Sequence, residues 1–130
     1  SLNENNIDYV KRLAYLYIES GKIEESLPYV KKLIDFEPSR FYNYYAYSEV
    51  LMLIGEYEES IKVLLEATKT HNRAELYYQL SNCYFQLNNP KEGRKTLSKA
   101  LDLDPNLLED MQQKYPYIKD EAEKVKAKKK

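Results

Sequence analysis

The sequence predicts an all-α fold, a stack of antiparallel helical hairpins, and three observations carry that expectation. Leu53-Ile54-Gly55-Glu56-Tyr57-Glu58-Glu59-Ser60 reads as the end of one helix, a glycine-centred turn and the start of a helix running back. The same phrase stands earlier as Ile18-Glu19-Ser20-Gly21-Lys22-Ile23-Glu24-Glu25-Ser26, and a worn copy later as Gln86-Leu87-Asn88-Asn89-Pro90-Lys91-Glu92-Gly93. Gly21 to Gly55 is 34 residues and Gly55 to Asn88 is 33; Pro38, Asn72 and Pro105 keep the same two spacings. A unit of this period is a helix–turn–helix that buries its apolar face only by stacking on its neighbours.

The elements follow in order. After a polar lead at 1–6, Asn6 is placed to cap a helix whose apolar stripe is Ile7, Val10, Leu13, Ala14 and Tyr17. The returning helix opens on Glu24-Glu25, where the helix dipole favours acids, and carries Ile23, Leu27, Val30, Leu33 and Ile34 inward. Pro28 inside it predicts a late start or a slight kink. The second unit repeats the pattern with Phe41, Tyr44, Tyr47, Ser48 and Leu51, then Tyr57, Ser60, Ile61, Leu64 and Ala67. The third has Tyr77, Leu80, Ser81 and Tyr84, a turn with Pro90 at the first helical position, then Leu97, Ala100, Leu101 and Leu103. The units are thus expected at 7–40, 41–73 and 74–106. From 107 to 130 the pattern breaks. Leu107, Leu108 and Met111 start a helix that Pro116 interrupts, and the rest turns polar and ends in lysines, as a capping segment with a lysine-rich tail would.

Composition narrows the function. Among 130 residues, 43% are hydrophobic and 32% charged, which suits a folded rather than a disordered chain. A net charge of −1 argues against nucleic acid as the partner, because displacing counterions needs a basic face. No apolar run approaches the ~20 residues that span a bilayer, so no membrane partner is expected. The lone Cys83 leaves no internal disulfide and fits a reducing, cytoplasmic setting.

With these landmarks in place, the chain resembles the tetratricopeptide repeat family. Its pattern is met by Val10, Leu13-Ala14, Tyr17, Ser26, Val30 and Pro38 in the first unit. Tyr44, Tyr47-Ser48, Leu51, Ser60, Leu64 and Asn72 meet it in the second, and Tyr77, Leu80-Ser81, Tyr84, Gly93, Leu97 and Pro105 in the third. Val10 departs from the family's aromatic, Asn72 from its proline, and the third turn from its glycine. The resemblance covers residues 7–106. It implies a right-handed superhelix whose concave groove holds a peptide or a partner helix.

In such a stack the first helices line the groove, so their positions not used in packing are the candidate site. These are Asp8, Lys11, Tyr15 and Ile18, then Tyr42, Tyr45, Glu49 and Met52, then Glu75, Tyr78, Asn82 and Phe85. Each set has the spacing of one helix face. The tyrosines, Met52 and Phe85 would form an aromatic trough, and tyrosine offers large contact area at little entropic cost. Tyr45, Tyr78 and Phe85 are accordingly expected to be partly exposed, with Tyr17 and Tyr84 in the core. Acids outnumber bases along the trough, which predicts a partner segment with some positive charge. Some relatives grip the C-terminal carboxylate of heat-shock chaperones; the matching positions here carry Lys11, Tyr15, Ala46, Glu75 and Gln79, and Glu75 would repel that ligand, so this activity is not expected.

No catalytic site is expected. Cys83 and His71 are single residues in different contexts, and a Cys–His pair needs contact and an orienting partner. Glu24-Glu25 and Glu58-Glu59 each open a helix, where dipole stabilisation accounts for them. No metal cluster, phosphate loop or cofactor fingerprint is present, so no metal and no cofactor are expected. The expected function is a non-catalytic protein-interaction module. The alternative is a structural, self-associating segment of a larger protein, a dimer or scaffold, which the abrupt start of the first helix favours.

Overall fold

The computed structural model describes residues 5–129. Residues 1–4 of the polar lead and Lys130 of the tail lie outside them. Among the described residues there are eight α-helices and no strand. Three hairpins come first: α1 (Ile7–Glu19) with α2 (Ile23–Phe36), α3 (Phe41–Leu53) with α4 (Tyr57–Ala67), and α5 (Ala74–Gln86) with α6 (Pro90–Leu103). A 3-10 turn, Pro105–Leu107, leads to the short α7 (Leu108–Lys114), and α8 (Ile118–Lys128) follows the break at Pro116. Each helix packs on the next through α6, and α3 also meets α5, which sets first helices side by side.

Local chemistry explains the ends. The Asn6 side chain accepts from the backbone N–H of Asp8 (2.9 Å) and Tyr9 (3.3 Å), and Asn89 accepts from Glu92 N–H (3.4 Å) ahead of Pro90. The three hairpin turns share one device. Gly21 (φ 77°), Gly55 (φ 83°) and Asn88 (φ 58°) adopt the left-handed conformation. The following N–H then reaches back to close the helix: Lys22 to the Tyr17 carbonyl, Glu56 to Leu51, and Asn89 to Tyr84, at 2.8–2.9 Å. Glycine adopts this conformation freely and asparagine is the next best residue for it, so the third turn has lost its glycine and kept its geometry. Helix α2 shows no late start: it begins at Ile23 and runs through Pro28, which lies on its exposed side.

The core has two parts joined at α3. Tyr47, Val50 and Leu51 meet Val10, Val30 and Leu33; Tyr45 and Met52, on the other side of the same helix, join Leu64, Leu76, Tyr78, Leu80 and Leu97. A helix apolar on all sides is one buried between neighbours, and α3 holds that central place. Buried polar groups fix the packing. Asn43 Nδ2 donates to the Leu33 and Glu37 carbonyls at the end of α2 (both 3.1 Å), and Gln79 Nε2 donates to the Tyr45 carbonyl (3.0 Å), tying α5 to α3. His71 Nε2 donates to the Pro38 carbonyl (3.1 Å), which joins one inter-hairpin connection to the next.

Small residues mark the closest approaches. Ser48 and Ser60 share a buried hydroxyl hydrogen bond of 2.6 Å between α3 and α4, and a Cβ on Gly93 would stand 2.9 Å from the Phe85 ring. Ser48→Leu should therefore cost about 1–3 kcal/mol through overpacking, read as a fall in the denaturation midpoint at unchanged slope. A neutral result would mean the two helices can part at that level without loss.

The end of the stack is closed by α8. Ile118, Ala122 and Val125 are buried along one of its faces and α8 packs on α6. Arg94 Nε meets Glu121 Oε2 at 2.8 Å and Lys129 Nζ meets Asp102 Oδ1 at 2.6 Å, both pairs 27 residues apart, so α8 runs parallel to α6. Burial works against the Glu121 charge, but hydrogen bonds from Arg94 and Lys124 more than offset it and hold the carboxyl below its ordinary range. That contribution to stability is complete above the ordinary carboxylate range and is lost as pH falls through the lowered value. Leu103, expected inside, is instead 39% exposed at the last turn of α6.

Candidate groove site

The first helices place the candidate residues in three different situations. Asp8 and Tyr15 are exposed on α1, while Lys11 is half-buried and lies 3.4 Å from Glu37. Tyr42 is 46% exposed and stacks on Tyr45, with ring centroids 5.9 Å apart. Glu49 and Glu75 are half-buried; Glu75 pairs with Arg73 at 3.1 Å. The third group is inside. Tyr45 is 9% exposed and Tyr78 is fully buried, and Met52 and Asn82 are buried as well.

The expectation that Tyr45 and Tyr78 are partly exposed is therefore corrected. Tyr78 belongs to the core, and its hydroxyl donates to the Asp104 carbonyl beyond α6 (3.1 Å). Burial, with the Asp104 charge adding to it, pushes the phenol up to about 12, so it stays a donor at neutral pH. Phe85 is half-buried between Gly93 and the Tyr117 ring, which meets it edge-on at 5.5 Å. The expected core residues Tyr17 and Tyr84 are the ones left half-buried, Tyr17 stacking on Tyr29 at 5.5 Å.

What covers the trough is the chain itself. Lys114 Nζ donates to the Tyr45 hydroxyl (3.0 Å) and to Glu49 Oε1 (2.8 Å), contacts that span 69 and 65 residues. Burial lowers the Lys114 ammonium, yet its bonds to Glu49 and Tyr45 prevail and hold it above its ordinary value. Tyr117 donates to Asn82 Oδ1, whose amide in turn donates to the Met52 sulfur (3.4 Å). Tyr115 packs against the same core, and burial drives its phenol well above the usual range.

Two clefts stay open beside this segment. One, of about 440 Å³, is lined by Glu49, Met52, Leu53, Tyr57, Asn82 and Gln86 on one side and by residues 114–117 on the other. The second, of about 300 Å³, lies between Phe41, Tyr42, Tyr45 and Glu75 and the residues Leu107, Asp110, Met111 and Lys114. Asp8, Lys11, Tyr15, Tyr78 and Phe85 line neither. Leu53, Tyr57 and Lys114 to Tyr117 were not among the candidates. The signal for residues 114–117 is a proline flanked by tyrosines in an otherwise polar tail; Leu53 and Tyr57 flank the Gly55 turn and carry no separate signal.

The chemistry of these clefts is that of contact, with apolar walls and carboxylates at the rim. Cys83 is buried, and desolvation pushes its thiol up to about 11, far from a reactive thiolate. No group of three or more His, Cys, Asp or Glu among the described residues is arranged to hold a metal ion, and no described helix is long and apolar enough to cross a membrane.

Paired helices at a period of 33–34 residues, closed by left-handed residues and stacked first helix beside first helix, define a tetratricopeptide-type α-solenoid, a right-handed superhelical stack. The chain belongs to the family described as anaphase-promoting complex, cyclosome, subunit 3, whose model matches residues 19–100. No curated protein sequence matches it. Among solved structures, the type III secretion chaperone SycD of Yersinia enterocolitica, in complex with a peptide of the translocator YopD, superposes with a TM-score of 0.77 at 17% identity. That superposition covers 97% of this chain and 96% of SycD. SycD in an alternative dimer gives 0.76 at 18%, over the same shares of the two chains. MamA of MSR-1 gives 0.69 at 22%, over 77% of this chain and 58% of MamA, so the chain matches little more than half of that protein's length. At these identities the likeness is one of fold.

Proposed function

We propose that this chain is a non-catalytic interaction module whose concave groove holds a segment of a protein partner. Its units are the repeats 7–40, 41–73 and 74–106, closed by residues 107–130. The observation that carries this reading is the pair of apolar clefts along α3, walled by Tyr42, Met52, Leu53 and Tyr57 and edged by Glu49 and Glu75. Concave apolar sites with a few convergent polar groups are where proteins take ligands. A chain of the same fold, SycD, is seen in complex with a peptide, which supports a protein segment as the ligand. The acidic rim supports a partner with positive charge, and the near-neutral net charge supports a protein over nucleic acid.

A peptide array probed with the wild type beside the Tyr42→Ala/Leu53→Ala double variant tests the reading. Both side chains are largely exposed (46% and 62%), so the variant should fold normally. Each substitution should weaken a groove ligand by about 1–3 kcal/mol, as loss of an aromatic or apolar anchor does. Ligands that hold both proteins equally well would place the site elsewhere. Self-association is the second reading. Tyr9 and Leu16, seven residues apart and both exposed, give α1 an uncovered apolar stripe, and SycD forms dimers. Light scattering decides it: a concentration-dependent dimer lost in Leu16→Glu supports the second reading, and a monomer at all concentrations removes it.

A further inference from the structure

We infer that Lys114-Tyr115-Pro116-Tyr117 is an internal ligand of the groove, and that the partner it stands in for is a protein segment bent at a proline, with a basic residue three positions before a tyrosine. This rests on the groove reading and adds the recognition chemistry.

The plain alternative is that residues 107–129 form one cap. The contacts divide them instead. Closure of α6 is the work of α8, through Ile118, Ala122 and Val125. Lys114 reaches Tyr45 and Glu49 of α3, more than 60 residues back in the chain, and Tyr117 reaches Asn82 of α5. Their anchoring is polar at both ends. The Lys114 ammonium sits between the Glu49 carboxylate and Tyr45, 5.2 Å from the centre of the Tyr45 ring, and the Tyr117 hydroxyl sits on the Asn82 amide. A cation over an aromatic face beside a carboxylate is a recognition arrangement, and it is complementary to the rim's negative charge. The proline bends the chain between the two anchors: Tyr115, kept out of the helical region as the residue before a proline, ends α7, and the Ile118 N–H closes a turn on the Tyr115 carbonyl (2.9 Å). Helix α7 stops at Lys114 accordingly.

The segment is also placed to be exchanged. Gln113, Lys114 and Pro116 are exposed, and open clefts flank it on two sides, so a partner can begin to bind before the segment has left. Met111 and Ile118, buried on either side, keep it tethered. A short tether gives an effective concentration on the order of millimolar, so even weak internal contacts suppress an external peptide of equal chemistry.

The test uses the whole chain and a fluorescein-labelled peptide of residues 112–119, followed by anisotropy. The wild type should bind it weakly. The Lys114→Ala/Tyr117→Phe variant, which empties both anchor points and leaves α8 intact, should bind at least tenfold more tightly. Tyr117→Phe alone removes one oxygen and keeps the ring against Phe85, so it should shift affinity the same way by a smaller factor and serves if the double variant does not fold. Adding Glu49→Gln, or replacing the peptide's lysine by alanine, should cancel the gain. Equal binding to wild type and loosened variants, or equal binding of a scrambled peptide, would overturn the inference. The groove reading fails separately. It falls if array ligands ignore Tyr42 and Leu53, and it stands if they depend on those residues while the 112–119 peptide binds nothing.

Discussion

Tyr78→Ala should destabilise the fold by roughly 3–5 kcal/mol, as truncation of a buried aromatic does. The side chain is fully enclosed between α5 and α6 and the segment after α6, in the same core as Leu76, Leu80 and Leu97. Collapse around the cavity is hindered, because the neighbouring Gln79 is pinned to the Tyr45 carbonyl. Urea unfolding followed by circular dichroism would show the loss as a large drop in midpoint. Tyr78→Phe separates the two parts of the effect. It keeps the ring and deletes only the hydroxyl that serves the Asp104 carbonyl, so about 1 kcal/mol is expected. Tyr17→Ala should cost less than Tyr78→Ala, since Tyr17 is half-buried and packs on Tyr29 at the edge of α1. The reverse order would mean that Tyr78 is solvated in solution and that the groove runs deeper than the structure has it.

That order is opposite to the one the repeat register predicts, and the reason is physical. Position along the helix is a local property. The spacing i, i+3, i+7, i+10 places Tyr42, Tyr45, Glu49 and Met52 along one side of α3, and all four meet Lys114 or a cleft beside it. Exposure along that side is not local. It depends on what else comes to lie there, and the residues that do so are 65–69 positions away in sequence. No propensity or periodicity in α3 encodes their arrival. The turns were legible for the opposite reason: glycine at the left-handed position is a rule of single residues, and Gly21 and Gly55 obey it.

The third unit shows a subtler case. Asn88 in place of glycine reads as a lost landmark, yet its backbone takes the same conformation, because asparagine tolerates it. Small residues stand where the two helices of a hairpin come close, but not for one reason. Ser48 and Ser60 meet each other, whereas Gly93 makes room for the Phe85 ring. The same sequence signal, a missing side chain, serves a helix–helix contact in one hairpin and an aromatic ring in the next. Only the identity of the neighbour tells them apart, and that neighbour is set by packing.

Deletion of residues 107–130 should abolish the cooperative melt or drive the chain into aggregates. Met111, Ile118, Ala122 and Val125 of this segment are buried in the same core as Leu97, Ala100 and Leu101 of α6, and α8 packs directly on α6. At about 1.5–3 kcal/mol for each large apolar side chain buried, their loss approaches the ~5–15 kcal/mol that holds a whole domain. A stack end without a polar closing helix also exposes the surface on which the next unit would have packed. Deleting only 126–130 should do little. It removes the exposed Lys129–Asp102 pair, and such pairs contribute about 0–1 kcal/mol, while Val125 and everything before it stay in place. The two truncations, followed by calorimetry and light scattering, separate the apolar closure from the lysine tail. If the longer deletion stayed monomeric and melted at the wild-type temperature, α6 would need no cover, and α8 would have to be an appendage rather than the end of the stack.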